Sequence, residues 1–290
     1  MNPIPGVETG GSAAAQLADG DFNFLCRVVY ERSRIHLSPD KKVLVATRLA
    51  KRLRQLQLAS YGEYCDLLRS PAGEEELQYL IDRISTNHTH FFREMKHFDF
   101  LREKVFPTAR GKSAVNDTPF RIWSAACSTG EEPYSLAIHL AEHFAPAAAN
   151  AWQIEASDIS TRVLEIAERG VYDTDKLGDI NQELLRRHFQ KGMGERAGQF
   201  RVKDVLRQRV RFHQLNLLQP PYPFSQLFHV ILCRNVMIYF DRPTQELLIG
   251  HLAERLLPGG FLLVGHSESL SAIKHPLQLI QPAIYLKPKA

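Results

Sequence analysis

Four short stretches of the chain carry side chains whose types and spacing could do chemistry. The first is Ser124-Ala125-Ala126-Cys127-Ser128-Thr129-Gly130-Glu131-Glu132-Pro133. An apolar run enters it, small residues follow, and Pro133 stands where the first turn of a helix would be. Small residues let a ligand approach the backbone closely. A pyrophosphate cradle would use a GxGxxG pattern, whereas this stretch holds one glycine. Its two carboxylates would also repel a phosphate. They suit a cationic, hydroxyl-rich ligand, and S-adenosylmethionine, with its ammonium, sulfonium and ribose diol, has those features. Glu131 and Glu132 have a second reading, as helix-start residues that interact with the helix dipole. The motif alone does not choose between the two.

The second is Asp158, at the end of the next apolar run and 28 residues after Gly130. In nucleoside-binding sheets an acid at the end of the second strand accepts hydrogen bonds from ribose hydroxyls, usually ~20 residues past the glycines. Asp158 could instead cap the helix that follows, although Ser160 is placed to do that itself. The third is Cys233-Arg234-Asn235-Val236-Met237-Ile238-Tyr239-Phe240. An arginine and an asparagine directly after a buried run need partners, and a ligand would supply them. Tyr239 would project its phenol toward the same opening. A loop satisfied from within the protein is the alternative. The fourth is Ser85-Thr86-Asn87-His88-Thr89-His90-Phe91-Phe92-Arg93. Arg93 offers the planar fork that suits a substrate carboxylate. Phe91 and Phe92 read as core residues. His88, His90 and His97 raise a metal site, but no acid-and-histidine set completes one, and none is expected.

These residues need a frame. Phe22, Leu25, Val28 and Val29 recur at helical spacing, as do Leu44, Leu49, Leu53 and Leu56. No strand-like alternation interrupts residues 21 to about 105, which predicts a helical N-terminal domain. Ser38-Pro39-Asp40 marks a helix start and Pro71-Ala72-Gly73 a break. From Arg121 the pattern changes. Arg121–Ala126, Trp152–Ala156, Phe228–Cys233 and Phe261–Val264 read as strands. Helices are predicted from Glu132, over Ser160–Arg169 and over Pro243–Leu257, with a turn at Pro258-Gly259-Gly260. This alternation predicts an α/β domain over residues 106–290, a parallel sheet covered on both faces that binds ligands beyond the strands' carboxyl ends. Residues from about 181 to 215 depart from it. A helix over Gln182–Phe189, a glycine-punctuated turn and the runs Gln199–Lys203 and Arg209–Gln214 predict a small antiparallel insertion.

Composition narrows the function classes. The chain has 290 residues, 44% of them hydrophobic, which is ample for a core. A formal charge of +4 permits an acidic partner and does not imply nucleic acid. The four cysteines lie far apart with no CxxC spacing, which fits a reducing, cytoplasmic compartment. Residues 1–20 lack the order of a signal peptide and read as a disordered leader. No run approaches the roughly 18 apolar residues that would insert into a membrane.

Together the stretches resemble the chemotaxis receptor methyltransferases, the CheR-type family, from about Asp21 to Lys289. Leu215-Asn216-Leu217-Leu218 and Gly265-His266-Ser267-Glu268 add to the match. The resemblance implies an N-terminal all-helical domain and a Rossmann-like class I methyltransferase domain carrying a small antiparallel β-subdomain. It implies S-adenosylmethionine as cofactor and S-adenosylhomocysteine as product. The acceptors would be glutamate side chains in the cytoplasmic domain of methyl-accepting chemotaxis receptors, which become methyl esters. Asn87, Thr89 and Arg93 would line the methyl-transfer site, and Glu132 would contact the amino-acid or central part of the cofactor. Asp158 would hold the ribose, Asn216 and Leu217 would flank the adenine, and Arg234 and Asn235 would complete the pocket. Arg93 and Tyr239 would position the acceptor glutamate. In some members the β-subdomain captures a C-terminal receptor peptide by strand addition. The acid-free basic segment 41–60 could meet acidic receptor helices. Two other classes compete. A non-catalytic module that senses the cofactor would lack use for Arg93 and Tyr239. A nucleic-acid N-methyltransferase would need its Pro-Pro-Tyr motif at a strand end, whereas Gln219-Pro220-Pro221-Tyr222 precedes the strand.

Overall fold

The computed structural model describes residues 16–108, 119–144, 151–178 and 180–289. Residues 1–15 of the expected leader lie outside the described residues, and Asp19 and Gly20 already belong to the first helix. The chain divides into two compact units. The smaller takes the described residues up to Arg32 together with Leu37–Ile84, and the larger takes Ser33–His36 together with residues from Ser85 onward.

The smaller unit is helical: α1 (Asp19–Ser33), α2 (Lys42–Gln55), α3 (Tyr61–Arg69) and α4 (Gly73–Ile84). Phe22, Leu25 and Val29 of α1 and Val45, Leu49 and Leu53 of α2 are buried, the one-sided stripes that helical spacing predicts. Ser60 caps α3 by accepting from the Glu63 N–H, and Glu63 reaches back to the Ala59 N–H. The basic face expected on α2 is largely used inside the unit. Arg52 pairs with buried Glu76, which also accepts from the Tyr64 hydroxyl at 2.7 Å. Arg48 donates to the carbonyls of Arg83 and Ile84, while Lys41 and Lys42 pair with Asp40 and Asp19.

The larger unit begins its regular structure with α5 (Met95–Phe100), which runs on through a π turn over Leu101–Val105. The rest alternates: β1 (Phe120–Ala125), α6 (Glu131–His143), β2 (Trp152–Asp158), α7 (Thr161–Arg169), β3 (Val171–Asp173), α8 (Gln182–His188), β4 (Phe189–Lys191), β5 (Gln199–Val202), α9 (Asp204–Arg207), β6 (Val210–Gln214), β7 (Phe228–Cys233), α10 (Arg242–Arg255), β8 (Leu256–Val264), β9 (Gln278–Gln281) and β10 (Ile284–Leu286). Seven strands form one sheet in the order β6-β2-β1-β7-β8-β10-β9. The first five are mutually parallel, and β10 and β9 turn back antiparallel at one edge. Both faces are covered, which is why the central strands are dominated by buried apolar residues, with few polar ones such as Arg121 and His229 between them. Ile122, Val230 and Leu232 enter the core on one face, Trp123, Ile231 and Cys233 the core on the other.

Three expectations change here. Arg209–Gln214 was predicted to belong to the insertion, but β6 joins the main sheet as an edge strand parallel to β2. The separate antiparallel sheet is instead β3-β5-β4, drawing its third strand from Val171–Asp173. Pro258-Gly259-Gly260 is no turn between elements: it lies inside β8, where Phe228 pairs with Leu256 but Val230 pairs with Phe261. The extra residues form a bulge, and the Gly259 φ of 78° supplies the bend. No helix among the described residues is long and apolar enough to cross a membrane. The architecture is a Rossmann-like α/β fold with a small antiparallel β-subdomain and an N-terminal all-helical unit.

Candidate active site

The loops after β1, β2, β7 and β8 lie at the strands' carboxyl ends, and the segment 87–94 crosses them. The loop after β1 turns sharply: Ala126, Ser128 and Gly130 have φ of 64°, 50° and 95°. A Cβ on Gly130 would stand 2.8 Å from both the Ala167 Cβ and the Tyr172 hydroxyl. The glycine is therefore required for packing against α7 and β3, whereas the sequence suggested room for a ligand. Asp158 braces this loop. Its Oδ2 accepts from the Ser128 N–H at 2.8 Å and its Oδ1 from the Ser160 N–H at 3.0 Å. Ser160, not Asp158, caps α7 by accepting from the Val163 N–H. The carboxylate is buried at the end of β2, beside the turn that carries Asn216 and Leu217: the Leu215 N–H donates to the Asp158 carbonyl. Asn216 accepts from the Leu218 N–H, and Leu217 is buried.

The paired glutamates diverge. Glu131 is buried and accepts from the Thr129 hydroxyl at 2.6 Å, and burial pushes its carboxyl above the ordinary range. Glu132 turns to the strand ends, accepting from the Ser124 hydroxyl at 2.6 Å and from Arg234 Nη1 at 2.9 Å.

Arg234 is the centre of this network. Its side chain is 2% exposed, and it donates to Glu132, to Glu94 Oε2 at 3.0 Å and to the Arg93 carbonyl. The expectation that a ligand would satisfy Arg234 is corrected: the protein satisfies it. Asn235, with a φ of 57°, donates from its side chain to Glu94 at 3.3 Å and from its backbone to Glu268 at 2.9 Å.

Two acids that sequence reasoning assigned no role thus hold the site together. Glu94 also accepts from the His266 N–H at 3.1 Å. Burial disfavours its ionised form, yet the charge of Arg234 and the His266, Arg234 and Asn235 hydrogen bonds outweigh that and hold the carboxyl below its usual range. Glu268 accepts four backbone N–H groups, from Asn235, Gly265, Met237 and Ile238. A Cβ on Gly265 would come within 2.5 Å of Asn235 Nδ2 and 2.8 Å of Glu268 Oε2, so only glycine admits this approach. The signal for Glu94 in the sequence was its place beside Arg93, and for Glu268 its place just past the last strand.

The other predicted residues sit on the same segments. The Asn87 carbonyl accepts from the Ser128 hydroxyl at 3.2 Å, which ties the segment 87–94 to the loop after β1. Phe91 and Phe92 are core residues, as expected, and the Phe92 N–H donates to Ser135 of α6. Thr89 is partly exposed on this segment. Arg93 is half-buried, and its guanidinium donates to the His88 carbonyl at 2.8 Å. It makes no ion pair among the described residues. Tyr239 closes a short turn (Met237–Tyr239) after β7, and its hydroxyl has no hydrogen-bond partner among the described residues.

Histidine chemistry here does not follow the H-x-H pair. His97, not His88 or His90, lies near Glu94 and His266, with their ligand atoms within 4.8 Å of one another. His97 is buried, and burial with the charge of Arg234 pushes its imidazolium down to about 3, so the ring is neutral. A metal ion at Glu94 would lie against the guanidinium already bound there, and like charges oppose that.

The carboxylate-rich set at the strand ends, partly and fully buried, fits S-adenosylmethionine. The carboxylates of Glu94, Glu132, Asp158 and Glu268 outnumber the guanidinium of Arg234, a balance that favours a sulfonium and an ammonium over a phosphate. Asp158 stands at the second strand end, where a ribose diol would donate.

Comparison with known proteins agrees. Residues 87–286 match the family model for the CheR methyltransferase SAM binding domain, and residues 20–85 match that for the CheR methyltransferase all-alpha domain. A chemotaxis protein methyltransferase of Borreliella burgdorferi is 40% identical over 269 residues, 92% of this chain and 94% of that protein. One from Salmonella typhimurium is 40% identical over 93% of this chain and 90% of its own length. Chemotaxis protein methyltransferase 2 of Pseudomonas aeruginosa is 41% identical over 91% and 92%. The chain belongs to the CheR methyltransferase family and is an S-adenosylmethionine-dependent methyltransferase.

Proposed function

We propose that this protein transfers a methyl group from S-adenosylmethionine to glutamate side-chain carboxylates of chemotaxis receptors, forming glutamyl methyl esters for sensory adaptation. The observation that carries the reading is the contrast between two arginines. Arg234 is buried and charge-satisfied by Glu94 and Glu132, whereas Arg93, one residue from Glu94, is half-exposed and holds only a backbone carbonyl. A planar fork with donors to spare suits an incoming carboxylate. The Tyr239 hydroxyl is available as a second donor to the same group.

The cofactor supplies a methyl group on a positively charged sulfur. A glutamate carboxylate is ionised at neutral pH and needs no base to accept it. Orientation by Arg93 and Tyr239 then supplies most of the acceleration. Asn87, Thr89 and Arg93 line the transfer site, and Glu132 acts toward the amino-acid or central part of the cofactor. Asn216 and Leu217 flank the adenine, and Asp158 accepts from the ribose. Arg234 and Asn235 complete the pocket from behind, by fixing Glu132 and the segment 93–94. Asp158→Asn keeps one acceptor oxygen and the side chain's size. It is expected to weaken cofactor binding by about ten- to a hundredfold in calorimetry. Unchanged affinity would remove Asp158 from the ribose site.

A receptor-tail peptide belongs to the same proposal: β3 and β4 each pair on one side only and offer open edges in the β-subdomain. The test uses labelled S-adenosylmethionine with membranes holding full-length or tail-trimmed receptor, followed by mild base. Label released as methanol is expected, with slower transfer to trimmed receptor. Base-stable label would overturn the carboxylate assignment, and equal rates on both receptors would remove the tail peptide.

A further inference from the structure

We infer that Glu268 and Gln245 are positioning residues that set the Met237–Tyr239 turn, and through it the phenol that addresses the acceptor. The inference rests on the role proposed for Tyr239 and extends it to two side chains outside the expected site. The turn is held from three directions. Glu268 Oε1 accepts from the Met237 and Ile238 N–H groups at 2.8 and 3.3 Å. From α10, Gln245 Nε2 donates to the Met237 carbonyl at 2.9 Å and the Phe240 carbonyl at 3.0 Å. The His36 N–H donates to the Tyr239 carbonyl at 3.0 Å.

Such fixation has a physical purpose. A three-residue 3₁₀ turn has poor internal hydrogen bonds and little stability of its own. Here Glu268 accepts from the Met237 and Ile238 N–H groups, Gln245 donates to the Met237 and Phe240 carbonyls, and a backbone N–H donates to the Tyr239 carbonyl. Gln245 sits on α10, and Glu268 lies four residues past β8, locked by Gly265 and Asn235. Glu268 therefore joins the loops after β7 and β8 into one rigid piece. Tyr239 has no side-chain hydrogen bond to fix it among the described residues, so its direction depends on the backbone that carries it.

The test is a double-mutant cycle on the full chain with receptor membranes. Gln245→Ala is expected to lower kcat about three- to tenfold, with cofactor affinity by calorimetry unchanged. In a Tyr239→Phe background the same substitution is expected to add less than about twofold, because both changes act on one phenol. Glu268→Gln places a donor against N–H donors and is expected to lower kcat further, with the same loss of additivity. Gln245→Ala decides the matter where that variant does not fold. A Tyr239→Phe enzyme impaired by itself, with effects that multiply, would overturn the positioning inference alone. Undiminished turnover of Tyr239→Phe would overturn the role of Tyr239 and the inference with it.

Discussion

Arg234→Met is expected to destabilise the larger unit by about 3–5 kcal/mol, the usual cost of stripping the partner from buried charges. The substitution keeps much of the volume and removes every donor. Glu94 and Glu132, with side chains 14% and 13% exposed, would face each other's charge without the cation between them. For a unit of this size the loss corresponds to a fall in Tm of roughly 6–20 °C. The pH dependence carries a sign. In the native protein Glu94 is held below its usual range. The stability it contributes is present above the unfolded pKa and is lost as pH falls through the folded one. Without Arg234, burial would raise that pKa, so the variant gains stability as Glu94 takes up a proton. The deficit against the native protein is therefore expected to shrink between about pH 7 and pH 4. Thermal unfolding at several pH values measures this. A fall of less than about 1 kcal/mol at neutral pH would show that the carboxylates do not depend on Arg234.

The second large effect concerns Arg93. Arg93→Ala is expected to lower kcat/KM for receptor by about 10²-fold or more, because a slightly misplaced nucleophile already loses that much. Cofactor affinity should change by less than about tenfold, since the cofactor has several other contacts. Arg93→Lys should recover only part of the rate: an ammonium keeps the charge and loses the planar fork. Turnover of Arg93→Ala equal to that of the native enzyme would remove Arg93 from the acceptor site. The two arginines thus predict opposite phenotypes, Arg234 a stability defect and Arg93 a rate defect in a folded protein.

Much of the fold was legible because burial on both faces leaves a plain trace. Phe228–Cys233 is an apolar run interrupted only by His229, with the bounds predicted for it. Ser160 caps its helix through a side chain whose type announces the role. What was misread lay where local signals mislead. Pro258-Gly259-Gly260 has the composition of a turn, yet a bulge uses the same residues. Val210–Gln214 alternates in hydrophobicity as an edge strand does, and alternation does not say which sheet the edge belongs to. The β9–β10 hairpin went unread, since β9 is exposed throughout and carries no core pattern.

The site was legible in its parts and not in its wiring. Strand-end logic placed Asp158, Arg234, Asn235 and Tyr239 at or just past the strand ends, where the structure has them, because position after a buried run is a local property. It could not find what Arg234 binds, for Glu94 stands 140 residues away in the chain. It therefore gave Arg234 to a ligand and passed over Glu94. Glu268 was matched without a role, since its partners are backbone N–H groups, which no side-chain pattern records.

The distance in sequence also sets an order in time. The Glu94 carboxylate leaves the ribosome early, but the N–H it accepts from at His266 lies 172 residues later. At typical rates of synthesis that is a wait of roughly 10–30 s. For the first 140 of those residues β1 and β2 can pair and α6 can dock while Glu94 has neither Arg234 nor His266 to meet. The contacts that close the candidate site around Glu94 are therefore complete only after translation has passed the final parallel strand.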